Sequence, residues 1–201
     1  MALRAPLIFA LAIAIAVIAA VRASAWEPAA SATASLGRGG TVIEVSGEPG
    51  GVGLIHGAID IAAPPQLVWR VMTDCRETPK LITSAAPCKV LSADPAGAWD
   101  VREQLTHGAW PIPDIRNVYR SDYQPFSLIR FRRVAGDLKV EEGEWRLEPL
   151  LGGRATRVIY VNRLAANLLA PALLVREGLR RDTPKVLMNL RRECLARSAE
   201  R

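Results

Sequence analysis

The fold is decided in residues 61–74, which read IAAPPQLVWRVMTD. Proline is well placed in the first turn of a helix, because the N–H that it lacks would have no partner there. Apolar residues then recur at helical spacing on one face: Leu67, Val68, Val71 and Met72. The stretch therefore predicts a short helix that begins near Pro65 and directly follows an extended segment.

Extended segments lie on both sides of this helix. Two strands, 41–45 and 54–61, are joined by a turn at 47–51, and residues 76–82 predict another turn or two of helix. From Cys88 onward the pattern has period two and is interrupted by turn residues, which predicts strands at 88–93, 98–107, 115–123, 127–134, 139–148 and 154–164. Connections of hairpin length indicate an antiparallel meander, because parallel strands need long crossovers.

The helical period returns after Asn167. The apolar stripe consists of Leu168, Leu169, Pro171, Leu173, Leu174, Val175, Leu179, Val186, Leu187, Leu190 and Leu195. It predicts one long helix, or two in series divided at Pro184 with Asp182 or Thr183 as the cap. The whole order predicts an α+β fold, in which a curved antiparallel sheet of about seven strands, with an extra N-terminal strand as an option, wraps around the long C-terminal helix. Any space that sheet and helix leave unfilled becomes a cavity.

The N-terminus has the order of a secretory signal. Arg4 precedes an uncharged apolar run over residues 5–21, and Ala23-Ser24-Ala25 follows. Residues 1–25 are therefore expected to be a signal peptide or, alternatively, an uncleaved membrane anchor, since the run is barely long enough to span. Residues 26–40 are expected to be a flexible leader and residues 41–201 the domain. The predicted location is across the inner membrane, in the periplasm.

Charge and composition exclude several classes of partner. The chain has 26 Lys plus Arg against 20 Asp plus Glu, and cleavage would remove Arg4 and Arg22, which leaves a mild net charge of +4. Without a concentrated basic run, nucleic acid is not an expected partner. Transient contact with an anionic membrane surface is compatible with this charge. The sequence has no ligand-spaced cluster of Cys or His, so neither a metal nor another cofactor is expected.

The chain resembles the START-like superfamily, also called the helix-grip or SRPBCC superfamily, and within it the polyketide cyclase/dehydrase group and the coenzyme Q-binding branch. The resemblance covers about residues 42–197 and is carried by residues 61–74, by RFRRVAGDLK at 130–139 leading to GEWRLEPL at 143–150, and by LRRDTPKVL at 179–187. It implies a helix-grip fold with an apolar ligand in an internal groove. The predicted export departs from the quinone chaperones of that branch, which face the matrix or cytoplasm, so only this coarser role is carried over.

Three cysteines, Cys75, Cys88 and Cys194, permit three pairings. In an oxidising compartment the pairing of Cys75 with Cys88 is favoured, because it closes a short loop. Cys194 is then a small apolar residue on the terminal helix.

Strand alternation predicts which side chains face the groove. Trp145 and Leu147 are taken as inward, and a slip of one residue would reverse the faces of a strand. The predicted ligand-binding residues are Trp99, Val101, Glu103, Leu105, His107, Trp110, Asn117, Tyr119, Tyr123, Phe131, Arg133, Trp145, Tyr160 and Asn162. Ile129 and Val158 share the same face, and plain core packing is the equal alternative for Val101, Leu105, Ile129, Leu147 and Val158.

The polar residues among these predicted ligand contacts each allow two interpretations. Arg133 would hold a carbonyl, phosphate or carboxylate of the ligand, or would pair internally with Glu103. Tyr119 and Tyr123 would orient a ligand oxygen or serve as wall residues. His107 is a candidate base at the pocket mouth or a histidine in solvent. Trp110 lies in the connection 108–114, whose apolar residues and prolines predict a stiff lip over the pocket.

Two functions are consistent with these residues. The first is a carrier of a lipid, isoprenoid or quinone-like molecule that performs no chemistry. The alternative is an enzyme that resembles polyketide cyclases or dehydrases and uses Glu103, His107 and Arg133 for proton transfer, although the sequence has no glycine-flanked serine elbow. A third possibility is an envelope protein whose role is contact with other proteins.

Overall fold

The computed structural model describes residues 26–108, 113–166 and 172–200. The predicted signal peptide, Trp110 with most of its lip, and Leu168, Leu169 and Pro171 lie outside the described residues, as do the side chains of Leu174 and Val175. The helices and strands are α1 (Ala30–Gly37), β1 (Thr41–Glu48), β2 (Val52–Ile61), α2 (Pro65–Thr73), α3 (Thr78–Leu81), β3 (Lys89–Ala93), β4 (Trp99–Thr106), β5 (Ile115–Gln124), β6 (Leu128–Gly136), β7 (Leu138–Leu150), β8 (Ala155–Ala166) and α4 (Ala172–Ala199).

The strands form one curved antiparallel sheet in the order β1-β2-β8-β7-β6-β5-β4-β3. Hairpins join β3 through β8 in chain order, and β2 pairs with β8, so that β1 and β3 are the two edge strands of the sheet. The predicted α+β helix-grip fold is confirmed. Tight turns form where the sequence has glycine: Gly97, at φ 76°, ends the turn in which its N–H donates to Asp94 O at 2.9 Å.

The terminal helix α4 is continuous across Pro184. The alternative of two helices capped at Asp182 or Thr183 is therefore wrong. Thr183 is buried next to the proline, and Leu187 and Leu190 after it are 0% and 2% exposed. The burial of these side chains before and after Pro184 outweighs the loss of the one backbone hydrogen bond that proline removes. Within the described ranges, no helix has both the length and the hydropathy needed to cross a membrane.

The main core lies where α4 and α2 cover one half of the sheet. The sheet face that α4 covers is called the inner face below. Buried apolar residues from α2, α4, β2, β7 and β8 form this core: Ile59, Ile61, Ala63, Leu67, Val68, Val71, Leu147, Val158, Leu187, Leu190 and Cys194. Because α4 packs mainly on β1 and β2, the inner face from β8 toward β4 extends beyond it.

Residues 26–40 differ from the expected flexible leader. They contain α1, and Leu36 is 1% exposed where it packs with Ala58 and Ile159 on the outer face of the sheet. Trp26 stacks on His56 with ring centroids 4.8 Å apart, and its indole N–H donates to Glu44 at 3.1 Å. These two large apolar side chains supply the contacts that a composition rich in Ala, Ser and Gly does not indicate.

The predicted disulfide between Cys75 and Cys88 is confirmed, with the two Cα atoms 5.3 Å apart. Cys194 is a free thiol, fully buried in the core on α4. The loop that the disulfide closes also pairs with the end of β4, since His107 N donates to Ser84 O at 2.7 Å and Ala86 N donates to Leu105 O at 2.9 Å.

Candidate functional site

The register of β4 corrects one part of the predicted groove. Directly opposite residues of antiparallel strands share a face, and β4 pairs Asp100 with Ser121, Arg102 with Tyr119 and Gln104 with Asn117. The even-numbered residues of β4 are therefore inward. The prediction that Trp99, Val101, Glu103, Leu105 and His107 face the groove is wrong.

The physical reason is that β4 turns its polar side chains inward and its larger apolar ones outward. Asp100, Arg102 and Gln104 are 6%, 7% and 7% exposed, while Trp99 lies on the outer face under the guanidinium of Arg120, at 4.3 Å. A rule that places apolar residues inside fails on a strand whose inner neighbours are polar. Polar inward residues also indicate that this part of the inner face is more than a packed core.

The other predicted inward residues do lie on the inner face. The register places Asn117, Tyr119 and Tyr123 of β5 opposite inner-face partners on β4 or β6, and it pairs Trp145 of β7 with Tyr160 of β8. Phe131, Arg133, Ile129, Leu147, Val158 and Asn162 have the same facing. Their role as ligand contacts stays a prediction.

Three aromatic residues form a cluster on the inner face, which we call the aromatic cluster: Phe131, Trp145 and Tyr160. Trp145 and Tyr160 stack with centroids 4.0 Å apart, and Phe131 stacks on Tyr160 at 6.3 Å. Gly143 of β7 lies between Phe131 and Asn162 and has no side chain to separate the rings. The cluster lines part of the inner face with aromatic carbon, against which a ring or an isoprenoid chain can pack.

A row of polar side chains crosses the sheet beside this cluster, and we call it the polar row: Gln104, Asn117, Glu141 and Asn162. Gln104 and Asn117 are directly opposed, and Asn117 Nδ2 donates to Glu141. Asn162 opposes Gly143 and is therefore a diagonal neighbour of Glu141, and its Nδ2 donates to the Tyr160 hydroxyl at 2.8 Å. The polar row thus spans β4, β5, β7 and β8.

One end of the inner face is closed by a buried ion pair. Asp100 accepts two hydrogen bonds from Arg102, at 2.9 and 2.7 Å, and a third from the Tyr123 hydroxyl at 2.8 Å. Arg102 also donates to Thr73 O at the end of α2, at 2.7 Å. This network fixes α2 to the sheet and uses the positive charge of Arg102 internally.

The predicted ion pair between Glu103 and Arg133 does not form. Glu103 is on the outer face and accepts from Arg116 at 2.7 Å, whereas Arg133 donates to Gly136 O at 2.9 Å. His107 is exposed and lies 2.9 Å from Asp114. The proton-transfer set expected from these three residues is therefore not assembled.

Sequence reasoning missed Asp100, Arg102, Gln104 and Glu141. A signal for Glu141 was present, because the period of two that makes Trp145 inward also makes Gly143 and Glu141 inward. For β4 the alternation itself favoured the opposite face, and only the pairing with β5 corrects it.

Glu141 is a carboxyl group with an altered proton affinity. Burial raises its pKa to about 7, opposed in part by the hydrogen bond from Asn117. Burial likewise raises the pKa of Tyr119 to about 12 and the pKa of Tyr160 still further, so both phenols stay neutral. Within the described parts of the chain there is no cluster of side chains arranged to hold a metal ion.

Replacing Glu141 by glutamine should change how stability depends on pH. The carboxyl pKa of Glu141 is higher in the folded than in the unfolded state. Its contribution to folding stability is therefore complete below the unfolded-state pKa and is lost as pH rises through about 7. Between about pH 5 and about pH 8, the free energy of unfolding of the wild type should fall by about 2 kcal/mol relative to Glu141→Gln. Among the described residues, β4 to β8 place these other titratable groups on the inner face: Asp100, Arg102, Tyr119, Tyr123, Arg133 and Tyr160.

Urea unfolding of both proteins at the two pH values measures this difference. Glu142→Gln is the matched control, because Glu142 is exposed and paired with Arg163 on the outer face. An unchanged pH dependence in Glu141→Gln would contradict the burial of this carboxylate.

Comparisons with known proteins agree with this architecture. Residues 61–191 match the family model described as polyketide cyclase / dehydrase and lipid transport, and no curated protein matches the chain. Among solved structures, the lipid transfer and protein localization domain of human StarD13 is similar at TM-score 0.64 and 14% identity, over 76% of this chain and 83% of that one. A STAR-related lipid transfer protein from Xanthomonas axonopodis has TM-score 0.62 and 16% identity, and the match covers 76% of this chain and 98% of that one. The Zhui aromatase/cyclase from a Streptomyces species has TM-score 0.61 and 16% identity, and the match covers 73% of this chain and 96% of that one.

At these identities the solved structures show a shared fold, and the family model covers most of the domain. The likeness to the coenzyme Q-binding branch stays a prediction. The chain belongs to the polyketide cyclase/dehydrase and lipid transport family of the START-like superfamily.

Proposed function

We propose that this protein binds and carries a hydrophobic molecule, such as a lipid, isoprenoid or quinone-like compound, on the inner face of the sheet without performing chemistry on it. The observation that carries the proposal is the aromatic cluster flanked by buried polar atoms that have no hydrogen-bond partner within the described ranges. These atoms include Asn117 Oδ1, Asn162 Oδ1 and Gln104 Oε1. Each such atom costs about 1–3 kcal/mol when it is left unpaired, so a ligand or water is expected to meet it.

Two of the structurally similar proteins are named as lipid transfer proteins, which supports a carrier. The ligand would lie between the aromatic cluster and α4, with its polar end at the polar row. Transient contact with a membrane surface would then serve loading and release. The mild positive charge of the chain is compatible with an anionic surface.

We also propose that the protein acts outside the cytoplasm. The predicted signal over residues 1–25 supports export, and an uncleaved anchor is the alternative. The disulfide between Cys75 and Cys88 also supports export, because disulfides form and persist in oxidising compartments.

Trp145→Ala should lower the amount of ligand that co-purifies with the protein by about tenfold, because it removes half of the closest stacked pair in the aromatic cluster. Trp99→Ala is the matched control, since Trp99 lies on the outer face, and it should leave the ligand in place. The measurement is native mass spectrometry with lipid extraction on protein exported by its own signal and recovered from the periplasmic fraction. The same spectra give the mass of the mature N-terminus. Protein that folds but carries no extractable apolar molecule, and takes none up, would refute the carrier function.

A second candidate is an enzyme that resembles cyclases, and Glu141 is the observation that favours it. A carboxyl group with a pKa near 7 beside two neutral phenols is suited to accept a proton from a bound carbon acid. The similarity to the Zhui aromatase/cyclase is compatible with this chemistry. Incubating the extracted ligand with fresh protein separates the two functions: a carrier returns it unchanged, whereas an enzyme converts it and loses that activity in Glu141→Gln.

A further inference from the structure

The polar row has more unused acceptors than donors. Three amide oxygens, on Gln104, Asn117 and Asn162, have no partner among the residues that the structure describes, although each side chain is more than nine-tenths buried. Arg133 Nε is the one unpartnered donor found beside them on the described inner face. A bound molecule that satisfies this site must therefore bring donors of its own.

The hydrogen bond to Glu141 orients Asn117. Its Nδ2 atom donates to the carboxyl group of Glu141, which accepts hydrogen bonds when it is ionised. Its Oδ1 atom is consequently the free acceptor. In Asn162 the Nδ2 atom donates to the Tyr160 hydroxyl, and the Oδ1 atom is left without a partner among the described residues.

Charge on the inner face disfavours an anionic head group. Glu141 lies within the polar row, and the positive charge of Arg102 is paired with Asp100 and bonded to Thr73 O. Arg133 already donates to Gly136 O. A phosphate or carboxylate placed at the polar row would face oxygens that only accept and a carboxyl group that ionises near neutral pH.

The aromatic cluster determines what should lie next to those donors. Trp145 and Tyr160 are stacked at 4.0 Å, and Tyr160 is also bonded to Asn162 of the polar row. A ligand whose hydroxyl groups reach the polar row therefore has its adjoining atoms on an aromatic surface. A ring packs well there, because aromatic groups stack on or meet the edges of one another.

We propose that the site selects a neutral hydroxylated ring, with at least two hydroxyl groups donating to the amide oxygens of Asn117 and Asn162. The inference rests on the proposed function and specifies the chemical class of its ligand. It separates hydroxylated rings from their ethers and ketones, which only accept hydrogen bonds, and from anionic lipids.

Three probes with the same ring test the selection: a naphthalenediol, its dimethyl ether and a naphthoate, each titrated into purified protein by calorimetry. The diol should bind at least about tenfold more tightly than the ether, because two hydrogen bonds to buried acceptors are gained. Asn162→Leu should reduce that ratio severalfold while ether binding persists. Asn117→Leu is a second variant with the same expectation, and exposed Gln66→Leu on α2 is the matched control that keeps the wild-type ratio.

The wild-type ratio needs no variant, so misfolding of one variant cannot obscure the result. Equal binding of diol and ether would overturn the hydroxyl preference and leave the carrier function standing. Tightest binding of the naphthoate would overturn it in favour of an anionic head group. Failure of all three probes to bind a protein from which an apolar molecule is extracted would overturn the hydroxylated ring and leave the carrier function standing.

Discussion

Replacing Gly143 by alanine is expected to lower the free energy of unfolding by about 3 kcal/mol or more. A Cβ atom at this position would overlap the carbonyl oxygen of Val161 and would lie 2.9 Å from the Cα atom of Asn162. Both are backbone atoms of β8, the strand with which β7 pairs along most of its length. Because a backbone cannot rotate away as a side chain can, the two central strands would have to separate locally.

Gly178→Ala is the matched control for this change. Gly178 lies in α4, and an added Cβ there would meet no atom within 4 Å among the described residues. The control should be neutral or more stable by up to about 1 kcal/mol, since alanine is the better helix former. Urea unfolding of both variants gives the comparison, and a Gly143→Ala protein as stable as the wild type would contradict the close approach of β7 to β8.

The same substitution bears on the ligand site. The added methyl group would lie 2.8 Å from Cζ of Phe131, so the ring would have to leave its stacked position over Tyr160. Any Gly143→Ala protein that remains folded should therefore also lose apolar ligand. Gly143 thus connects the packing of the sheet to the shape of the aromatic cluster.

The elements of this fold follow from local patterns in the sequence. Pro64 and Pro65 place the start of α2, and the period of two after Cys88 gives every later strand to within a few residues. These features depend on neighbouring residues alone, which is why the sequence is sufficient to predict them. Pro184 shows the limit, because the packing of Leu187 and Leu190 against the sheet overrides a local helix-breaking signal.

The site was less predictable, because its facing depends on pairing between strands. On β5 to β8 the apolar anchors Trp145 and Phe131 point inward, and alternation from them gives the correct face. On β4 the apolar Val101 and Leu105 point outward, since the inner surface there carries the ion pair of Asp100 and Arg102. A strand that lines a polar site reverses the signal by which strands are normally oriented.

Loss of the disulfide between Cys75 and Cys88 should lower the free energy of unfolding by about 3 kcal/mol, the chain-entropy value for a loop of this length. The closed loop holds α3 against α4 and lies along the end of β4, where Gln104 Nε2 donates to Ala86 O at 2.9 Å. Removing the cross-link therefore frees a segment that positions one member of the polar row. Ligand retention should fall together with stability.

The double variant Cys75→Ser/Cys88→Ser, compared with the wild type in the presence and absence of a reductant, measures this effect by urea unfolding. Reductant should shift the wild-type midpoint toward that of the variant and should leave the variant itself unchanged, because the remaining thiol, Cys194, is buried and unpaired with either position. Equal midpoints for all four samples would show that the loop is held by its hydrogen bonds to β4 alone. A wild-type shift would instead mean that the protein keeps its full stability only where thiols are oxidised, as the export proposed above would require.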